Sequence, residues 1–184
     1  GSALGLRPGQ ILRLVTIPEG MPSVLVADRL RGEALLSGPV AAPPEGSVLP
    51  DSYSFEAGEP RAAVLRRMQA AMDKALAEAW AARAEGLPLK TPQEALTLAS
   101  IVERETGLAA ERPQVAAVFA NRLRLGMKLQ SDPTVIYGLS DGAGVLDHGL
   151  TRKDLEADHP YNTYAIAGLP PGPIALPGLA AIRA

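Results

Sequence analysis

The acid/base candidates in this sequence are Glu103 and Glu105, two carboxylates near the end of a segment with strong helical signals. That segment opens on Thr91-Pro92-Gln93-Glu94: an N-cap threonine, a proline at the first helical position and a glutamate placed to close a capping box. A helix is therefore predicted over 92–106, with Gly107 just past its end. At about 100° per residue, Glu103 projects about 20° from Leu96 and about 40° from Ala99, inside the apolar arc that also holds Ala95 and Val102. Arg104 points about 140° away from Ala99, and Glu105 falls at the edge of the arc near Leu98. A carboxylate on the apolar face is costly to ionise, which raises its pKa and keeps a proton available for general-acid catalysis. The competing reading of Glu103 is a buried structural acid paired with Arg122 or Arg124 of the following helix. On residue types and spacing alone the two readings weigh the same. Glu105 reads as a solvated or salt-bridged surface residue.

The remaining polar constellations suit a sugar-binding cleft, in which aromatic faces pack on pyranose rings and amides bind hydroxyls. Asn121 stands beside Arg122, Gln130 and Asp132 flank a turn, and Tyr161-Asn162-Thr163-Tyr164 is a dense polar-aromatic run. Each has a structural alternative of its own. Asn162 can cap a turn, Asp132 before Pro133 can open one, and the tyrosines can be half-buried core.

Composition removes other chemistries. The chain has no cysteine, so disulfide scaffolds, zinc-thiolate sites and cysteine nucleophiles are excluded. Only two histidines occur, with no H-E-x-x-H, and neither a metal nor a cofactor is expected. There is no G-x-S-x-G, no P-loop and no G-x-G-x-x-G. A net charge of -2 argues against a nucleic-acid partner. No run approaches the ~18–20 apolar residues of a membrane-spanning helix. By elimination, a carboxylate acid/base enzyme or a binding module remains.

The elements that must position these residues read as α+β and helix-dominated. Residues 10–17 are rich in branched aliphatics and predict a strand, 18–20 a turn, and 23–30 a helix. The Pro/Gly stretch 38–46 cannot be regular structure and marks the junction between a small N-terminal lobe and the main body. A long helix is predicted over 60–85, with Val64, Leu65, Met68, Met72 and Leu76 on one face and Gly86 as its cap. Another is predicted over 113–125, with Val115, Val118, Phe119 and Leu123 as its stripe. Residues 134–137 and 163–166 read as short strands or single helical turns, and 151–156 as a short helix. Gly1-Ser2 reads as a tag remnant, and 179–184 as the first turns of an interrupted helix, so the chain is expected to be a fragment.

Residues 98–139 (LASIVERETGLAAERPQVAAVFANRLRLGMKLQSDPTVIYGL) closely resemble the central block of the endolytic murein transglycosylase, or YceG-like, family. Residues 161–178 (YNTYAIAGLPPGPIALPG) resemble a second block, 49–53 (LPDSY) a third, and 17–20 (IPEG) opens a lobe that looks LysM-related. These blocks follow the family's order along nearly the whole chain.

The resemblance implies cleavage of the β-1,4 bond between N-acetylmuramic acid and N-acetylglucosamine within peptidoglycan strands, leaving 1,6-anhydro-muramyl ends. The family's essential glutamate lies in the S-I-[IV]-E-x-E-T motif, here 100–106, and falls on Glu103. Gln130, Asp132, Tyr137, Asn162 and Tyr164, with Asn121 and Tyr161, are the implied substrate contacts. The implied organisation is a partial LysM-like lobe and linker over 1–46 and a catalytic domain over 47–184 that continues beyond this chain's end. The implied location is the periplasmic face of the inner membrane, reached through an N-terminal helix missing here, beside penicillin-binding proteins. The alternatives are a non-catalytic peptidoglycan-binding domain, and a muramidase that uses water and needs a second carboxylate, for which Asp132 is the sequence candidate.

Overall fold

The computed structural model describes residues 13–184, so the start of the expected 10–17 strand and the Gly1-Ser2 pair lie outside the described residues. The strand itself is β1, Arg13–Thr16. It pairs antiparallel with β2, Ser52–Phe55, in the register Arg13↔Phe55 to Thr16↔Ser52. β2 went unread in the sequence: four residues, SYSF, of which Phe55 alone turns fully into the core. Between the strands lie helix α1, Ser23–Arg31, and the irregular Pro/Gly stretch.

Helix α2, Arg61–Ala81, stops short of the predicted Gly86 cap. Arg83 closes its end instead, donating from Nη1 to the Trp80 carbonyl at 2.7 Å and lying 4.0 Å over the Trp80 ring. Helix α3, Pro92–Glu105, starts as its sequence dictates: the Thr91 hydroxyl accepts the Glu94 amide at 3.2 Å. The Glu94 carboxylate reaches one residue past the cap, accepting the Lys90 amide at 3.1 Å. A 3-10 turn, Ala109–Glu111, leads into α4, Arg112–Arg124. Residues 134–137 belong to a helix, α5, Asp132–Leu139, with Pro133 in its first turn. Residues 163–166 form a turn fixed by the Asn162 carbonyl, which accepts the amides of Ala165 and Ile166 at 3.0 Å each. Two short helices follow: α6, Arg152–Leu155, with a Thr151/Asp154 capping box, and α7, Leu179–Arg183.

Two principal apolar cores result. One gathers Val15, Ile17, Val26, Leu30, Val48, Phe55, Val64 and Met68 around the strands, α1 and α2. The other gathers Leu98, Ile101, Val102, Phe119 and Leu129 around α3 and α4. A buried strap that is neither helix nor strand, residues 174–178, joins them: Ile174 packs into the second core and Leu176 into the first. A bend at Ile174 and Ala175 lets these side chains enter different cores, where an extended chain would send residues two positions apart to the same side.

Candidate active site

The strap owes its course to where its amides go, because a buried N–H left without an acceptor is costly. Ile174 donates to Ser100 Oγ at 3.0 Å, Leu176 to the Met21 carbonyl at 2.9 Å, and Gly178 to Glu103 Oε1 at 2.7 Å. Pro173 and Pro177 have no N–H to satisfy. The Leu176 carbonyl returns a bond to the Gly20 amide at 2.9 Å. One face of α3 and the segment after β1 thus grip the strap from two sides, and Glu103 is part of the grip.

Glu103 is buried, 8% exposed, as its place on the apolar arc requires. Its two oxygens are used differently. Oε1 is anchored by Gly178, whereas Oε2 receives no hydrogen bond from a described residue and is not sealed from solvent. Facing Oε2 at 3.7 Å is Nη2 of Arg112, the first residue of α4, and the same nitrogen lies 3.8 Å from Glu19 Oε2. Both separations are ion-pair distances too long for direct hydrogen bonds. Arg112 Nε is buried without a hydrogen-bond partner.

The cation beside Glu103 is therefore neither of those expected. Arg122 Nη1 donates to the Leu129 carbonyl at 2.5 Å. Arg124 donates to the Gly86 carbonyl at 3.1 and 3.3 Å and to Asn121 Oδ1 at 2.7 Å. The carboxylate brought to Glu103 through a shared neighbour is Glu19, while Asp132 Oδ1 accepts the Tyr164 hydroxyl at 2.5 Å. Neither Glu19 nor Arg112 carries a local signal. Glu19 sits in what reads as a plain turn, and Arg112 precedes the proline that marks a helix start.

The other sequence candidates divide by how their polar atoms are used. Asn162 is 1% exposed; its amide nitrogen donates to the Leu155 and Ala157 carbonyls, and its Oδ1 accepts the Tyr164 amide. Tyr137 donates to Glu45 Oε2 at 3.0 Å and tilts against Tyr161, ring centroids 5.0 Å apart. Burial, reinforced by Glu45, pushes the Tyr137 hydroxyl well above the ordinary tyrosine range and raises Tyr161 as well, so both are neutral hydroxyls. The hydrogen bond to Asp132 and partial burial push Tyr164 up to about 12.

Glu105 faces a different neighbourhood from Glu103. It accepts the Ser131 hydroxyl at 2.7 Å, next to the exposed side chains of Gln130 and Asp132. Gln130 holds a left-handed backbone at φ 54°, with its amide donating to the Thr163 carbonyl and its side chain left outward. Thr163 Oγ1 ties this segment to 161–164, accepting the Ser131 amide and sharing a bond with Thr134. The structure thus brings Gln130, Asp132 and Tyr164 together beside Glu105, and Tyr137 and Tyr161 together beside Glu45. Asn121 stands apart on α4.

A groove of about 760 Å3 lies between α2, α3, α4 and α7, walled by Leu76, Trp80, Leu98, Val102, Ala116 and Ile182 among others. It adjoins α3 on a side that does not include Glu103, and Glu78 is the one acidic side chain among its lining residues. Among the described residues no group of His, Asp and Glu is arranged to hold a metal ion.

Comparison with known proteins adds to this geometry. The YceG-like family model matches residues 4–184. The endolytic murein transglycosylase of Bacillus subtilis (strain 168) is 48% identical over 89 residues, 48% of this chain and 24% of that protein. The protein of the same description from Streptococcus pneumoniae serotype 2 (strain D39 / NCTC 7466) is 35% identical over 145 residues, 76% of this chain and 25% of that protein. The chain thus spans about a quarter of the length of the curated relatives it matches. A crystal structure of a YceG-like protein from Listeria monocytogenes superposes with a TM-score of 0.73 at 29% identity, covering 92% of this chain and 65% of that one.

Proposed function

From the premise that the chain belongs to the YceG-like family, we propose that it is the catalytic part of an endolytic peptidoglycan lytic transglycosylase with Glu103 as its single acid/base. The observation that carries the reading is the division of labour between the Glu103 oxygens. A residue that first gives and then takes a proton needs a fixed carboxyl plane and one unencumbered oxygen. Gly178 fixes Oε1, while Oε2 accepts no hydrogen bond from a described residue and is not sealed from solvent.

In the proposed reaction the Oε2 proton passes to the glycosidic oxygen between N-acetylmuramic acid and N-acetylglucosamine as the C1–O bond breaks. The muramic acid 6-hydroxyl attacks C1, and Glu103, now a carboxylate, takes the proton of that hydroxyl. No water enters, the products are a free 4-hydroxyl and a 1,6-anhydro end, and Glu103 regains its proton. An intramolecular nucleophile removes the need for the second carboxylate that water-using glycosidases require.

Gln130, Asp132 and Tyr164 offer exposed polar and aromatic surface next to the last turn of α3; these three, with Tyr161 beside Glu45 and Asn121 on α4, are the proposed glycan contacts. Tyr137 and Asn162 support them from beneath, since their polar atoms are engaged within the protein. Residues 1–46 are assigned the LysM-like role of holding glycan, and 47–184 the catalytic role. Work at the periplasmic face of the inner membrane beside penicillin-binding proteins belongs to the same proposal.

A second reading, the water-using muramidase, draws support from Glu19, a second carboxylate that shares Arg112 with Glu103. Mass spectrometry of digested glycan strands separates the two. Anhydro ends, lighter by one water, support the transglycosylase; reducing ends overturn it in favour of hydrolysis.

A further inference from the structure

Arg112 poses a question that the reaction above does not answer. Its side chain is 13% exposed, yet its guanidinium stands off at 3.7 Å from Glu103 and 3.8 Å from Glu19 and hydrogen-bonds neither. A guanidinium ordinarily closes on a carboxylate in a bidentate fork. Here two carboxylates stand at nearly equal distances from the same nitrogen, and neither captures it.

Glu19 packs closely over Gly178. A Cβ built on Gly178 would lie 2.5 Å from the Glu19 carboxyl carbon and Oε1, so the Glu19 carboxylate occupies the space that any other residue at 178 would fill. The glycine is not there for its backbone, since its φ of -76° is open to any residue. The same residue donates its N–H to Glu103 Oε1. Gly178 is thus the floor beneath both carboxylates. Glu19 arrives from the N-terminal lobe, on the segment that Gly20 and Met21 bind to Leu176 of the strap.

We propose that Glu19 and Arg112 are positioning residues for Glu103: Glu19, seated on Gly178, holds the Arg112 cation beside Oε2 and prevents it from closing on that oxygen. The proposal rests on the reading of Glu103 as the acid/base. Arg112 then favours the carboxylate formed once the proton leaves, while Oε2 keeps the free lone pair that must receive the proton of the attacking hydroxyl. The N-terminal lobe completes the active site by supplying Glu19, in addition to any hold it has on glycan.

Each arm of this arrangement has a variant. Glu19→Gln removes the competing charge, and Arg112 closes onto Oε2. Gly178→Ala displaces the Glu19 side chain, which is half exposed and free to swing away, without changing any charge and without removing the N–H that anchors Glu103. Arg112→Met removes the cation, and Arg112→Lys restores it without the fork.

The experiment is steady-state digestion of purified glycan strands by the parent, these four variants and Glu103→Gln, with circular dichroism melts to confirm folding and mass spectrometry of the products. The expected result is a loss in kcat of about tenfold or more for Glu19→Gln and Gly178→Ala with KM nearly unchanged. Arg112→Met loses more, Arg112→Lys recovers part of that loss, and the product stays the same throughout. Parental kcat in folded Glu19→Gln and Gly178→Ala overturns the proposal. So does a change confined to KM, which would make Glu19 a glycan contact, or loss of a reducing-end product, which would make it a second catalytic carboxylate. If Glu103→Gln keeps the parental rate, it is the acid/base reading that fails; an inactive Glu103→Gln beside a normal Glu19→Gln sinks the positioning role alone.

Discussion

Ser100 and Glu103 hold the same strap from successive positions on one face of α3, Ser100 accepting the Ile174 amide at 3.0 Å and Glu103 the Gly178 amide at 2.7 Å. The proposed catalytic carboxylate is thereby also a structural acceptor. This unites the two meanings that a glutamate on an apolar helix face carries: buried structural acid and poised proton donor. Ser100→Ala should then strand the buried Ile174 amide at about 1–3 kcal/mol. Chemical denaturation should show an earlier midpoint, and an unchanged midpoint would mean that the bond contributes nothing net.

Asn162 provides a second test of what its run of polar and aromatic neighbours does. With both carbonyl contacts and the Tyr164 amide dependent on it, Asn162→Ala should lower stability by about 2 kcal/mol or more. The fraction that remains folded should keep most of its activity. A large rise in KM at unchanged stability would instead make Asn162 a direct glycan contact.

Gly46 has a left-handed backbone at φ 80°, and a Cβ there would lie 2.8 Å from the Pro173 ring. Gly46→Ala combines backbone strain of about 1–3 kcal/mol with a ring collision. The expected outcome is a lower melting temperature and weaker activity together, because Pro173 leads directly into the strap that anchors Glu103. A melting temperature equal to the parent's would show that the 38–46 stretch yields freely.

Glu45 gives a pH dependence. Burial raises its carboxyl above the ordinary glutamate range, outweighing the Ser23 amide and the Tyr137 and Ser23 hydroxyls that donate to it. The folded state therefore holds this proton more tightly than the unfolded chain does. Its contribution to stability is fully present below the unfolded pKa and is lost as pH rises through the folded value. The melting temperature of the parent relative to Glu45→Gln should fall as pH rises out of the ordinary glutamate range. A difference that stays flat over that rise would contradict the assignment.

The parts of the structure legible in the sequence are those fixed by neighbours along the chain. Thr91 and Pro92 set the start of α3, and the 3.6-residue period alone placed Glu103 inward. What surrounds Glu103 was not legible, because it arrives from far away: Gly178 lies 75 positions on, and Glu19 comes from the opposite end of the chain. Arg122 and Arg124 were reasonable partners by spacing, but nearby backbone carbonyls engage them first. Residues 134–137 read equally as strand or turn because the apolar run is short. Pro133 in the first turn and the Thr134 hydroxyl bonded to the Ser131 carbonyl at 2.7 Å settle it as helix. β2 escaped notice because only pairing with β1 makes four residues a strand.

The most direct test of the account compares Glu103→Gln with Glu105→Gln in digestion of glycan strands, with rates and product masses read together. The account predicts a loss of at least about a hundredfold in rate for Glu103→Gln, with anhydro-muramyl products from the parent and a much smaller loss for Glu105→Gln. Comparable activity in a folded Glu103→Gln variant, or collapse of activity on Glu105→Gln alone, would contradict it.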